Sequence, residues 1–152
     1  MEKFENVERQ LDRKDIEAFE EQFGVDLPQD FVDFYLFNNG GNPPFYYVEG
    51  EENVFALDGF LSIKYGEFPI EQLMKDYAKQ EISIMNKIPF ANDPVGSIFF
   101  ISTAPADKNS IYILPPDREP AEEDSYLYVC KSFSAFLEGM TNDTEEEEED
   151  EE

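Results

Sequence analysis

A chain of 152 residues with 36 acidic and 11 basic side chains, a net charge of −25, no histidine and one cysteine is sized for a single folded domain. That charge opposes binding to nucleic-acid phosphates and to anionic membrane surfaces and favours a cationic partner. The missing histidine removes Ser-His-Asp and Cys-His catalysis, His-ligated zinc and the commonest general base near neutral pH, and one cysteine removes thiolate zinc sites and any internal disulfide.

The first element is a helix over Leu11 to Gly24. Asp12 is placed to cap it, Asp15 stands three residues later, and Leu11 can pack on Ile16 as a hydrophobic staple. Ile16, Phe19 and Phe23 share one helical face, and Gly24 offers a left-handed stop. Pro28, a favoured first-turn residue, opens a second helix with Phe31, Phe34 and Tyr35 on one stripe and Phe37 nearby, ended by Asn38-Asn39-Gly40-Gly41. These two helices form an N-terminal hairpin.

From Pro44 the period changes. Phe45 to Val48, Asn53 to Leu57 and Phe60 to Ile63 read as short strands. Ile70, Leu73, Met74 and Tyr77 then give the helical pattern of a third helix from Pro69 to about Gln80. Strands follow over Ser97 to Ser102, Ser110 to Leu114 and Ser125 to Lys131, with Ile88 to Ala91 as a short lead-in. Pro115, Pro116 and Pro120 require a loop, because repeated proline removes ladder donors. Ser132 caps a last helix carrying Phe133, Phe136, Leu137 and Met140. The order predicts an α+β fold, a single domain over residues 1–142 with a largely antiparallel sheet flanked by helices on one face or edge. The core is aromatic, since the chain has fifteen Phe, eight Tyr and no Trp. Residues 143–152 hold nine acids and no base, too charged to join a core, and are expected to be a disordered acidic tail. Taking those nine from the net −25 leaves −16 on the rest.

No P-loop or dinucleotide-binding glycine pattern is present, Gly40-Gly41 follows a helix where a phosphate cradle would precede one, and the acidic stretches lack the spacing of a calcium-binding loop. The expectation is a protein without catalytic residues, metal or cofactor. The N-terminus shows no basic region followed by an apolar run, and no window is apolar enough to span a membrane, so the expected location is the cytoplasm. Cys130 lies in an apolar run and reads as a buried thiol. The acids that stand out are two clusters: Glu49, Glu51 and Glu52 between early strands, and Asp117, Glu119, Glu122, Glu123 and Asp124 in the proline-rich loop. They are candidates for a negative face that meets a basic partner, set against the plainer reading of a solvated charge run. Tyr46 and Tyr126, if exposed, would supply aromatic anchors.

Ile16 to Phe31, with Phe19-Glu20, Gly24 and Leu27-Pro28, followed by Asn39-Gly40-Gly41, resembles the N-terminal signature of the SUKH superfamily. Ile88-Pro89-Phe90-Ala91, the Asp93 to Gly96 turn before Ile98 to Ile101, Ile111-Tyr112 and the closing Ser132-Phe133 with Phe136-Leu137 continue that resemblance, which runs from about residue 12 to residue 138. The first strand departs from the commoner pattern, with Phe45, Tyr46 and Tyr47 where a Trp is usual.

The resemblance implies an immunity protein that binds and neutralises a cognate secreted polymorphic toxin, of the LXG type with a nuclease-like C-terminal domain, by stoichiometric occlusion. The partner would then be that basic toxic domain, with no nucleic acid and no membrane. The resemblance also allows a cytosolic regulatory scaffold akin to fungal regulators of cell-wall synthesis.

Overall fold

Two helices, Arg13–Phe23 (α1) and Gln29–Phe37 (α2), open a computed structural model that describes residues 3–143. Of the acidic tail expected over residues 143–152, all but Asp143 lies outside the described residues. The Asp12 carboxylate accepts from the Asp15 N–H at 2.9 Å and the Asp15 carboxylate accepts from the Asp12 N–H at 3.0 Å, a reciprocal cap that satisfies two otherwise free donors. Gly24 ends α1 in the left-handed conformation. The Leu27 N–H donates to the Glu20 carboxylate at 2.9 Å, so Glu20 fixes the turn between the helices.

The remaining elements are β1 (Tyr47–Glu49), β2 (Val54–Ala56), β3 (Gly59–Phe60), α3 (Ile70–Lys79), β4 (Lys87–Asn92), β5 (Ile98–Ser102), β6 (Ile111–Leu114), a single 3-10 turn (Glu123–Ser125), β7 (Leu127–Cys130), α4 (Phe133–Glu138) and β8 (Met140–Thr141). They make an α+β fold with two antiparallel sheets, a five-stranded one in the order β3-β4-β5-β6-β7 and a three-stranded one in the order β2-β1-β8. The alternation along β5 and β6 sends Phe99, Ile101, Ile111 and Ile113 into the main core and Phe100, Tyr112 and Leu114 to the opposite face.

The main core is a stack of rings between the five-stranded sheet and the helices. Phe31 and Phe34 from α2, Phe90 from β4, Phe60 from β3 and Phe136 from α4 surround Phe133, with ring centroids 5.0 to 6.4 Å from it. Phe55 of β2 meets Phe99 edge-on at 6.3 Å, which ties the smaller sheet to the larger. α3 lies across the margin: Ile70 and Met74 join the main core, while Tyr77 packs near Phe100 in the second cluster.

Three departures from the sequence pattern have identifiable causes. The single sheet divides because β1 pairs with β8, not with β3. Met140, expected inside the last helix, is a strand residue opposite Val48: α4 stops at Glu138, and Gly139 lets the chain pass so near β1 that an added Cβ would lie 2.4 Å from the Glu49 carbonyl. The lead-in before Asn92 is a full strand in the middle of the sheet, and Pro89 is tolerated there because the register shifts between Pro89 and Ala91.

The Leu27-Pro28 and Asn39-Gly40-Gly41 motifs are structural. Asn39 is 1% exposed. Its amide donates to the Arg9 and Ile63 carbonyls, both at 2.9 Å, and its carbonyl accepts from the Ile63 N–H at 2.7 Å. One side chain thus fastens the N-terminal segment and the end of the β3 region to α2. Gly41, at φ +102, lies so close to the N-terminal segment that a Cβ would stand 2.5 Å from the Glu5 carbonyl. Asn39→Ala is expected to cost at least about 2 kcal/mol, since it strands buried backbone groups without partners. A fall in the urea midpoint at constant slope checks it.

Candidate functional site

Three acids from the two clusters, Glu51, Glu52 and Glu123, stand about the Tyr128–Tyr112 pair at the β6–β7 edge of the five-stranded sheet. Gly50 and Asn53 close the β1–β2 turn through a 2.8 Å hydrogen bond, and its tip docks on the edge strand β7, where the Glu51 N–H donates to the Val129 carbonyl at 2.8 Å. The Tyr128 hydroxyl donates to Glu51 Oε2 at 2.9 Å. Burial, and then that hydrogen bond, pushes the Tyr128 hydroxyl up to about 12. Glu52 adds its charge to the same tyrosine. Glu49 ends β1 and its backbone faces Gly139, so it belongs to the other margin of the hairpin.

The second cluster hangs on the segment between β6 and β7. The Tyr126 hydroxyl donates to the Pro120 carbonyl at 2.5 Å, and Arg118 donates to the Asp124 carbonyl at 3.4 Å, which hold the loop in shape. Asp117, Glu119, Glu122, Glu123 and Asp124 are all exposed. The two ion pairs among the described residues, Lys64 with Asp15 and Lys108 with Asp26, involve none of them. Tyr126 does not meet the condition of exposure set for an anchor: it is 8% exposed and meets Phe100 edge-on. Tyr46 is 70% exposed, and its backbone N–H donates to Asn142 Oδ1 at 2.9 Å.

Aromatic side chains bridge the two clusters. Tyr128, 39% exposed, meets Tyr112 on β6 with centroids 5.9 Å apart. The Tyr112 hydroxyl donates to Asp107 Oδ2 at 2.5 Å, and Asp107 also accepts from the Ser102 hydroxyl at 2.6 Å. Burial favours a protonated Asp107, but those two hydrogen bonds and the charge of Lys87 outweigh it and hold the carboxyl below its ordinary value. Beyond Tyr112 opens a cleft of about 510 Å³ lined by Met85, Lys87, Asp107, Tyr112, Glu123 and Tyr126 among others. Leu127, 41% exposed, adds apolar surface on the same edge strand. The result is a continuous flank running from Glu51 and Glu52 through Tyr128 and Tyr112 to Glu123.

The acids are visible in the sequence, but the residues beside them are not. Asp107, Tyr112, Tyr128 and Lys87 carried no local signal, because strand pairing brings them together from β4, the loop after β5, β6 and β7.

Among the described residues no group of three or more His, Cys, Asp or Glu side chains is placed to hold a metal ion, and no helix is long and apolar enough to cross a membrane. Cys130 is 3% exposed, its thiol donates to the Ser132 carbonyl, and burial pushes it up to about 11. A thiol-reactive dye at pH 8 is expected to label the native chain slowly and the denatured chain at once. Rapid native labelling would contradict the buried thiol.

The family model described as the SMI1 / KNR4 family (SUKH-1) matches residues 10–139, from the approach to α1 through the end of α4. A comparison with curated proteins finds no match.

Proposed function

Because the chain belongs to the SMI1 / KNR4 family (SUKH-1), we propose that it is an immunity protein that binds and neutralises a cognate secreted polymorphic toxin. The toxin is of the LXG type, and its basic, nuclease-like C-terminal domain is the part engaged. The carrying observation is that Tyr128 and Tyr112 stand between Glu51 and Glu52 on one side and Glu123 on the other, with none of these acids in an ion pair. Exposed Tyr128, backed by half-buried Tyr112, supplies rigid contact area at low entropic cost, and surrounding acids steer a cationic surface into register.

The mechanism is occlusion. The chain covers the toxin's functional surface in a one-to-one complex, and no bond is made or broken. Glu51, Glu52, Asp117, Glu119, Glu122, Glu123 and Asp124 form the steering field, with Glu49 at its margin. The acid-rich segment 143–152 is a solubilising extension of the domain in this reading, and the setting is the cytoplasm.

The test is co-expression. Host cells producing the toxic domain encoded beside this chain are expected to survive when the chain is present and to die when it is absent. Death despite abundant soluble chain would move the reading to a regulatory scaffold, the other role that the family likeness allows.

A further inference from the structure

Lys87, at the start of β4, is 8% exposed, yet its side chain lines the cleft between the 103–110 loop and the 115–125 loop. Its ammonium stands 4.4 Å from the centroid of the Tyr126 ring and 5.1 Å from that of Tyr112. One hydrogen bond is made, to the Met85 carbonyl at the long distance of 3.4 Å. No carboxylate among the described residues lies within ion-pair distance of it. An ammonium carries three donors, so this one keeps unused donors beside open space.

The approach to Lys87 is built with some strain. Met85 and Asn86 both hold positive φ, 57° and 59°, a conformation that non-glycine residues adopt sparingly. Around the cation, Asp107 lines the cleft from the loop after β5, Tyr112 from β6, Glu123 and Asp124 from the 3-10 turn before β7, and Tyr126 from the residue just ahead of β7. Asp107 is already engaged by Ser102 and Tyr112. Burial lowers the Lys87 amine from its ordinary value, and the charges of Asp107 and Glu123 only partly restore it. A buried charge without a contacting counter-charge is an unfavourable arrangement that a pairing partner would relieve.

We propose that this cleft is a specificity pocket in which Lys87 receives a carboxylate side chain presented by the protein partner. The inference rests on the toxin-binding reading and adds its chemistry. Three exposed or part-exposed acids around one buried cation make the cleft negative overall, so a free anion is repelled. A carboxylate is admitted when it arrives ringed by Lys and Arg, which neutralise Glu123 and Asp124 while the acid seats on Lys87. The partner surface therefore carries one acid at the centre of a basic field. Such inverse pairing rejects partners that are merely basic.

The experiment compares Lys87→Met, Lys87→Arg and wild type in the full chain, using the toxic domain encoded beside it. Lys87→Met is expected to keep or raise the melting temperature, because a methionine fills the same volume without the buried charge. It is also expected to weaken binding at least tenfold, mainly through faster dissociation, with Lys87→Arg recovering part of the loss. Inorganic phosphate and acetate at millimolar concentration are expected to leave the Lys87 side-chain NMR resonances unmoved.

A clear drop in melting temperature for Lys87→Met would make Lys87 a structural cation and overturn the inference. Unchanged binding would overturn it as well, and the acidic flank would still stand if charge reversal in the 115–125 loop slowed association. If both changes left binding untouched, the pocket and the 115–125 loop would both lie outside the interface; the toxin-binding reading itself falls only if the wild-type chain fails to bind the toxic domain. Displacement of the Lys87 resonances by free phosphate would show a small-anion site and overturn the protein-partner assignment.

Discussion

Phe133→Ala is expected to destabilise the chain by about 3–5 kcal/mol, the range for deleting a fully buried phenyl ring. The residue is 0% exposed and its ring meets those of Phe31, Phe34, Tyr35, Phe60, Phe90 and Phe136. Its neighbours come from α2, β3, β4 and α4, so collapse around the gap would need several elements to move together. Close-packed interiors resist that, and the lost dispersion contacts go unreplaced. Since whole domains are stable by only about 5–15 kcal/mol, this change would leave the protein near its unfolding threshold. The measurement is a denaturant melt beside Tyr46→Ala, which removes a ring 70% exposed and should change stability little.

Reversing Glu119, Glu122 and Glu123 together to Lys has the largest expected effect on binding. All three are exposed and outside the core, so the melting temperature should change little beyond the loss of the charge that Glu123 lends to Lys87. Each reversal removes one negative charge from the steering field and adds a positive one in its place. Association with the basic toxic domain should slow by tenfold or more at low salt, because electrostatic steering can raise association to about 10⁸–10⁹ M⁻¹s⁻¹ and is lost with the field. The difference should shrink as salt is added, since the Debye length falls to about 8 Å at physiological ionic strength. An unchanged rate at low salt would remove this loop from the interface.

How much of the molecule was legible varies with how local the signal is. Asp12, Asp15 and Gly24 lie within one helix length of each other and specify α1 through contacts that sequence alone displays. The apolar stripe of α2 was equally plain, although Phe37, placed near that stripe, is 79% exposed and turns outward. Strand partners were not legible, because pairing depends on where distant segments return. β8 is the clearest case: Gly139 permits the close approach to β1, but nothing near it in sequence names Val48 as the neighbour of Met140.

The site divides in the same way. The exposed acids announce themselves as charge runs in loops. Their relation to one another depends on Tyr128 reaching back to Glu51 and on Tyr112 standing beside Tyr128, which are facts of register across β6 and β7. Lys87 is the extreme example. In sequence it is one base among eleven, and its burial between two tyrosine rings appears only when β4 pairs with β5 and the sheet continues to β6 and the segment before β7.

Occlusion without chemistry has a direct measure: titrate the purified chain into a fixed amount of the toxic domain and follow the toxin's activity. The account predicts a linear fall that reaches the baseline at one chain per toxin, with the complex recovered intact afterwards. Loss of activity at far less than one equivalent, or toxin that stays inactive once the chain is removed, would show that the chain acts by turnover and contradict the account.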